Sequence, residues 1–117
     1  MYDLIKIGDK EVPMLAMASV DIYYKQIFGD DILRIMTDAD LFDNADRINA
    51  IQQMGFVMAK LAELKDPKEM RALNEDNYIE WLEQFSRGDM LTAYESMQEL
   101  YMRQTKATST EKNVPAG

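Results

Sequence analysis

The chain has 117 residues, a formal net charge of −8, and neither histidine nor cysteine. Those missing types remove the usual general base near neutral pH, the commonest metal ligands and the thiol nucleophile. No catalytic, cofactor-binding or metal residue is therefore assigned, and function is expected in surfaces or carboxylates. The acidity speaks against a nucleic-acid face, which rests largely on Lys and Arg, and the lack of a long apolar run or a signal-like start speaks against membrane spanning and export.

A chain of this length sustains one core without staples. Tyr2–Ile7 alternates, Gly8-Asp9-Lys10 supplies turn residues and Glu11–Met17 forms a second run, which predicts a β-hairpin within residues 1–18. Pro13 cannot donate to a ladder, so it belongs on an edge or at a strand start. A lone hairpin is marginal in water and needs helices packed on it.

Ser19 is placed to cap a first helix with Val20, Tyr23, Tyr24, Ile27 and Phe28 on one face and Gly29 as its left-handed stop. Asp30 and Asp31 lead a short helix through Ile32, Leu33 and Met36, ending near Thr37 to Asp40. The longest helix is capped by Asp43 or Asn44 and runs to about Lys65, with Ile48, Ile51, Met54, Met58 and Leu61 at helical spacing and Val57 and Leu64 widening the stripe. It should be the central helix. Gly55 inside it costs about 1 kcal/mol against Ala, which points to a close helix crossing.

Asp66-Pro67-Lys68-Glu69 is a start signal with Glu69 completing a capping box, and a short helix to Leu73 follows. Asn74, Glu75 and Asp76 open another through Tyr78, Trp81, Leu82 and Phe85, stopped by Ser86-Arg87-Gly88. The last helix, from Asp89, repeats Met90, Ala93, Tyr94, Met97, Leu100 and Tyr101, with Leu91 and Met102 on its flanks. From Thr105 the run is polar and small with no period, a flexible tail over 105–117. The expectation is a mainly α, single-domain fold of five or six helices with a short N-terminal β-hairpin, the domain occupying 1–104.

Several features have a plain structural reading beside a sharper one. The acids from Asp21 to Asp46 suit caps and turns, and a calcium loop begun at Asp38 fails because Phe42 and Asp43 stand where an oxygen ligand and a Gly are required. Arg87-Gly88-Asp89 spells an adhesion tripeptide, yet a helix stop followed by a cap accounts for it. The ten methionines suit an irregular core or an adaptable binding surface, and Trp81 between Tyr78 and Phe85 reads as packing. Pairs such as Glu80 with Glu83 or Glu95 with Glu99 lack a partner base or metal ligand and read as solvated surface.

Val12-Pro13-Met14-Leu15-Ala16, followed in the first helix by Tyr24-Lys25-Gln26-Ile27-Phe28-Gly29-Asp30, resembles the opening of the small tail assembly chaperones of long-tailed phages and prophages of Gram-positive bacteria. The likeness covers roughly the first third of the chain, with Trp81-Leu82-Glu83-Gln84-Phe85 as a further segment of the same character. The resemblance implies a host-cytoplasmic protein that binds the tape measure protein and keeps it soluble until tail-tube subunits polymerise around it, and that is absent from the mature virion. It also implies a minor, longer product made by programmed frameshifting, for which an A-rich run encoding Lys112-Asn113 would serve.

A tape measure exposes long apolar helix faces, so its partner needs an adaptable apolar face with an acidic rim. Met90, Tyr94, Met97, Tyr101 and Met102 are the predicted partner-binding residues, and charge at Met97 or Tyr101 is expected to abolish capture without unfolding. The breadth of that face also permits a homo-oligomer. The alternative is an acidic helical adaptor or inhibitor that covers a basic protein surface with the Asp30–Asp46 region.

Overall fold

In a computed structural model, which describes residues 1–38 and 40–104, β1 (Tyr2–Ile7) and β2 (Lys10–Leu15) pair antiparallel across Gly8 and Asp9. Gly8 has φ 65° at the first of the two central turn positions, where a positive dihedral matches the twist of the strands and glycine takes it without steric cost. The Met1 amino group donates to the Ala16 carbonyl at 2.6 Å, and the Ala16 N–H donates back to the Met1 carbonyl at 2.8 Å. Antiparallel pairs alternate in type. Asp3–Met14, Ile5–Val12 and Ile7–Lys10 are therefore hydrogen-bonded pairs, whereas Tyr2–Leu15, Leu4–Pro13 and Lys6–Glu11 turn their backbone groups outward. Pro13 lies where no N–H is called for.

The same alternation separates the faces. Ile5, Ile7 and Met14 are buried on the inner face, and Tyr2 and Leu4 on the other are 60% and 48% exposed.

Six helices follow: α1 (Val20–Phe28), α2 (Ile32–Thr37), α3 (Asn44–Leu64), α4 (Pro67–Arg71), α5 (Glu75–Leu82) and α6 (Arg87–Gln104). The mainly α architecture with an N-terminal hairpin is the one expected. Gly29 ends α1 at φ 78°, while Ser19 occupies the cap position without making a side-chain cap bond. Asp31 caps α2 by accepting from Leu33 N–H. Asp43 caps α3 in a reciprocal box with Asp46, and Asn74 caps α5 in a box with Asn77. Asp66 caps α4 through Lys68 N–H with Pro67 in the first turn, so the boxes form at these other two sites rather than through Glu69.

Helix α3 touches every other helix and β2, and each residue from Met54 to Ala59 is buried, the signature of a helix apolar all round. It is the central helix, as its length and stripe suggested. The crossing expected at Gly55 is with α6: a Cβ built there would overlap Met97 Sδ. At its C-terminus Lys65 takes the left-handed conformation, φ 57°, usually given to glycine.

The junction of α5 and α6 differs from expectation. Helix α5 ends at Leu82, leaving Phe85 in the connection, and α6 starts two residues earlier than Asp89. The Ser86 hydroxyl accepts from Asp89 N–H at 3.1 Å, so Ser86 caps the new helix instead of stopping the old one. Gly88 falls inside the first turn of α6, and the Arg87-Gly88-Asp89 tripeptide is helical. In α2, Ile35 rather than Leu33 faces the core; Leu33 is exposed. The expected tail, 105–117, and its Lys112-Asn113 lie outside the described residues.

Candidate partner-binding groove

The five predicted partner-binding residues do not form one exposed face. Met90, Met97 and Tyr101 are core residues, with Met97 and Tyr101 wholly buried. Tyr94 is half-buried and Met102 is exposed. The α6 stripe faces inward because α3 and β1 both pack on it, and Tyr101 donates its hydroxyl to Asp21 Oδ1 at 2.7 Å, tying the end of α6 to the start of α1. Charge placed at either buried position would therefore act on the packing of the core as well as on any partner.

A concavity suited to a partner lies elsewhere. An open groove of about 710 Å³ runs along the free side of β2, between the strand, the C-terminal half of α3 and the end of α5. Val12, Pro13, Ala59, Ala62, Trp81 and Phe85 give it apolar walls, and Lys10, Glu11, Lys60, Glu63 and Gln84 surround them. Lys60 pairs with Glu63 at 3.1 Å. Lys10 is held by the Gln84 carbonyl at 3.3 Å and lies 5.3 Å from the Phe85 ring centroid, which closes one end of the groove.

The floor is fixed by a run of ring contacts. Trp81 meets Phe85 with centroids 5.2 Å apart and Phe56 at 5.9 Å; Phe56 meets Tyr78 at 5.6 Å, and Tyr78 meets Phe28 at 5.2 Å. Edge and tilted contacts of this kind add to the packing beyond burial. The aromatic segment is thus packing, as read from its spacing, and its last ring, Phe85, is half-buried at the groove. What the sequence could not reveal is the partner strand: no periodicity links Lys10 and Pro13 to residues more than sixty positions away.

The acidic region is drawn into local structure. Asp31, Asp43 and Asp46 serve caps, Asp38 accepts from the N–H groups of Asp40 and Leu41, and Asp30 accepts from Asp31 N–H. The hydrogen bond from Asp46 N–H holds the Asp43 carboxyl below the usual carboxylate range. Among the described residues no group of three carboxylates is placed to hold a metal ion, and no helix is long and apolar enough to cross a membrane.

No protein family, curated protein or solved structure matches the chain.

Proposed function

We propose that this protein is a tail assembly chaperone that holds an apolar helical segment of a tape measure protein in the β2–α3–α5 groove. The observation that carries the reading is the groove itself: an open, apolar trough with a rigid aromatic floor and a charged rim. It offers room for the anchor side chains of an amphipathic helix, which is how helix-in-groove partners are recognised. The resemblance of Val12–Asp30 to the chaperone family supplies the identity of the partner, and the acidic surface would keep such a complex soluble.

Both free edges of the hairpin favour a helix over a strand as the guest. On β2, Pro13 has no N–H to offer. Directly across the pair, Leu4 N–H is taken by Asp3 Oδ1 at 2.8 Å, and Asp3 is held by Arg103 at 3.0 Å. Strand addition needs a row of open donors and acceptors, and the central donor is missing on each side.

On this reading the protein acts in the host cytoplasm, has no enzymatic activity, meets the tail-tube protein only as it displaces the chaperone, and shares its domain with a longer frameshifted form. The test is co-purification of a tagged chain from its native locus with downstream genes intact, followed by intact-mass analysis. Recovery of a very long helical protein, with a minor C-terminally extended form of this chain, is the expected result. Recovery of the 13.5 kDa chain alone, or of an unrelated basic protein, would contradict it.

A further inference from the structure

Apart from Leu15, which packs in part against the core, the outward face of the hairpin is exposed, and its chemistry is self-complementary. Its residues come as three directly opposed pairs: Tyr2 with Leu15, Leu4 with Pro13, and Lys6 with Glu11. These are the non-hydrogen-bonded pairs, whose side chains stand closest together, so the first two make one continuous apolar patch and the third closes it with opposite charges. Tyr2, Leu4, Lys6, Glu11 and Pro13 are all exposed, and Met17, 42% exposed, follows β2. A solvated outer face on a two-stranded sheet should be polar, and this one is not.

We infer that this face docks against the same face of a second copy, forming a two-fold dimer by stacking of the two hairpins. With the two-fold axis parallel to the strands, β1 of one copy lies over β2 of its partner at the same level. Each opposed pair is then repeated between copies, so that apolar residues meet apolar residues and each lysine of the third pair meets a glutamate. That is the arrangement an isologous interface demands. Stacked sheets approach to about 10 Å with side chains interdigitated. Growth beyond two copies by strand addition is checked by Pro13 on one edge and the occupied Leu4 N–H on the other. The face is small by the standard of specific interfaces, which bury upward of about 1,200 Å² in total, so the dimer is weak and concentration-dependent.

The hairpin's own pairing carries this inference, and the chaperone reading does not: Tyr2, Leu4 and Lys6 line no part of the groove, while Glu11 and Pro13 border both surfaces. The test is sedimentation equilibrium of the full chain at low salt from roughly 10 µM to 1 mM, a range that brackets a weak dimer. A monomer–dimer equilibrium is expected for the native chain and its loss for Leu4→Lys at unchanged helicity.

Lys6→Glu and Glu11→Lys each set like charges opposite one another, within the hairpin and between copies, and each should weaken self-association about tenfold, the effect of roughly 1.4 kcal/mol. Mixing the two variants restores opposite charges between copies while each hairpin keeps its own like-charge pair, so recovery of dimer on mixing is the result that intramolecular effects cannot produce. A native chain that stays monomeric throughout, a dimer indifferent to Leu4→Lys, or no recovery on mixing would overturn the inference.

Discussion

Gly55 of α3 and Met97 of α6 meet so closely that a Cβ on the glycine would overlap the thioether sulfur. Met97 is wholly buried and the methyl of Met14 stands 3.7 Å from the same Cβ position, so the sulfur has little room to retreat. Gly55→Ala should therefore destabilise the protein by about 1–2 kcal/mol, although alanine is the better helix former by about 1 kcal/mol. The check is a double-mutant cycle in urea with Met97→Ala. A smaller loss for the pair than for the sum of the singles identifies the contact, whereas additive losses would place the strain elsewhere.

The same relationship marks how much the sequence discloses. Gly55 within an apolar helical run announces a crossing, because nothing else in the run repays its cost; it does not say which helix crosses. Caps at Asp31, Asp43, Asp66 and Asn74 are legible because each is a local bond between residues two or three apart. The start of α6 was displaced because Ser86-Arg87-Gly88 reads equally well as a stop and as a cap with its first turn. That the α6 stripe turns inward was not legible, because the stripe is the same whether a neighbouring helix or a partner covers it. The groove was invisible because its walls come from residues far apart in the chain.

Tyr101 illustrates the inward packing of α6. Its hydroxyl donates to Asp21 Oδ1 across eighty positions of chain, so Tyr101→Phe should cost about 1.5–3 kcal/mol, the range for a hydrogen bond to a charged acceptor. Partner capture at a temperature where the variant is folded should be unchanged. Met97→Lys puts an unpaired charge in the core and should unfold the chain, losing more than about 4 kcal/mol. Circular dichroism with the co-purification assay separates the two effects, and a folded Met97→Lys that loses capture would return α6 to the binding surface.

Three tyrosines set an alkaline limit on stability. Burial pushes Tyr78 up to about 12. It also raises Tyr24, with Asp30 adding to the effect, and Tyr101, where Asp21 adds to it. A raised native value means that the unfolded chain releases these protons first. The stabilisation is complete below the unfolded tyrosine value of about 10 and is lost as pH climbs through the native values. Ionisation of these rings should therefore accompany the loss of helical circular dichroism above about pH 10, and full ionisation with helicity intact would contradict it. Tyr78→Phe should be stabilising by about 0.5–1 kcal/mol, because the Tyr78 hydroxyl is buried with no hydrogen-bond partner among the described residues.

Trp81, the one tryptophan in the chain, lines the groove and is 6% exposed, so its fluorescence reports directly on what fills that space. The decisive measurement is Trp81 emission during titration with tryptophan-free peptides spanning apolar helical segments of the co-purified long protein. The native chain should show a saturable emission shift with at least one segment. Ala62→Phe, which fills the groove from the half-buried wall of α3, should show none at unchanged helicity. Binding of a segment with no change in Trp81 emission, or equal binding by Ala62→Phe, would contradict the groove as the site of capture.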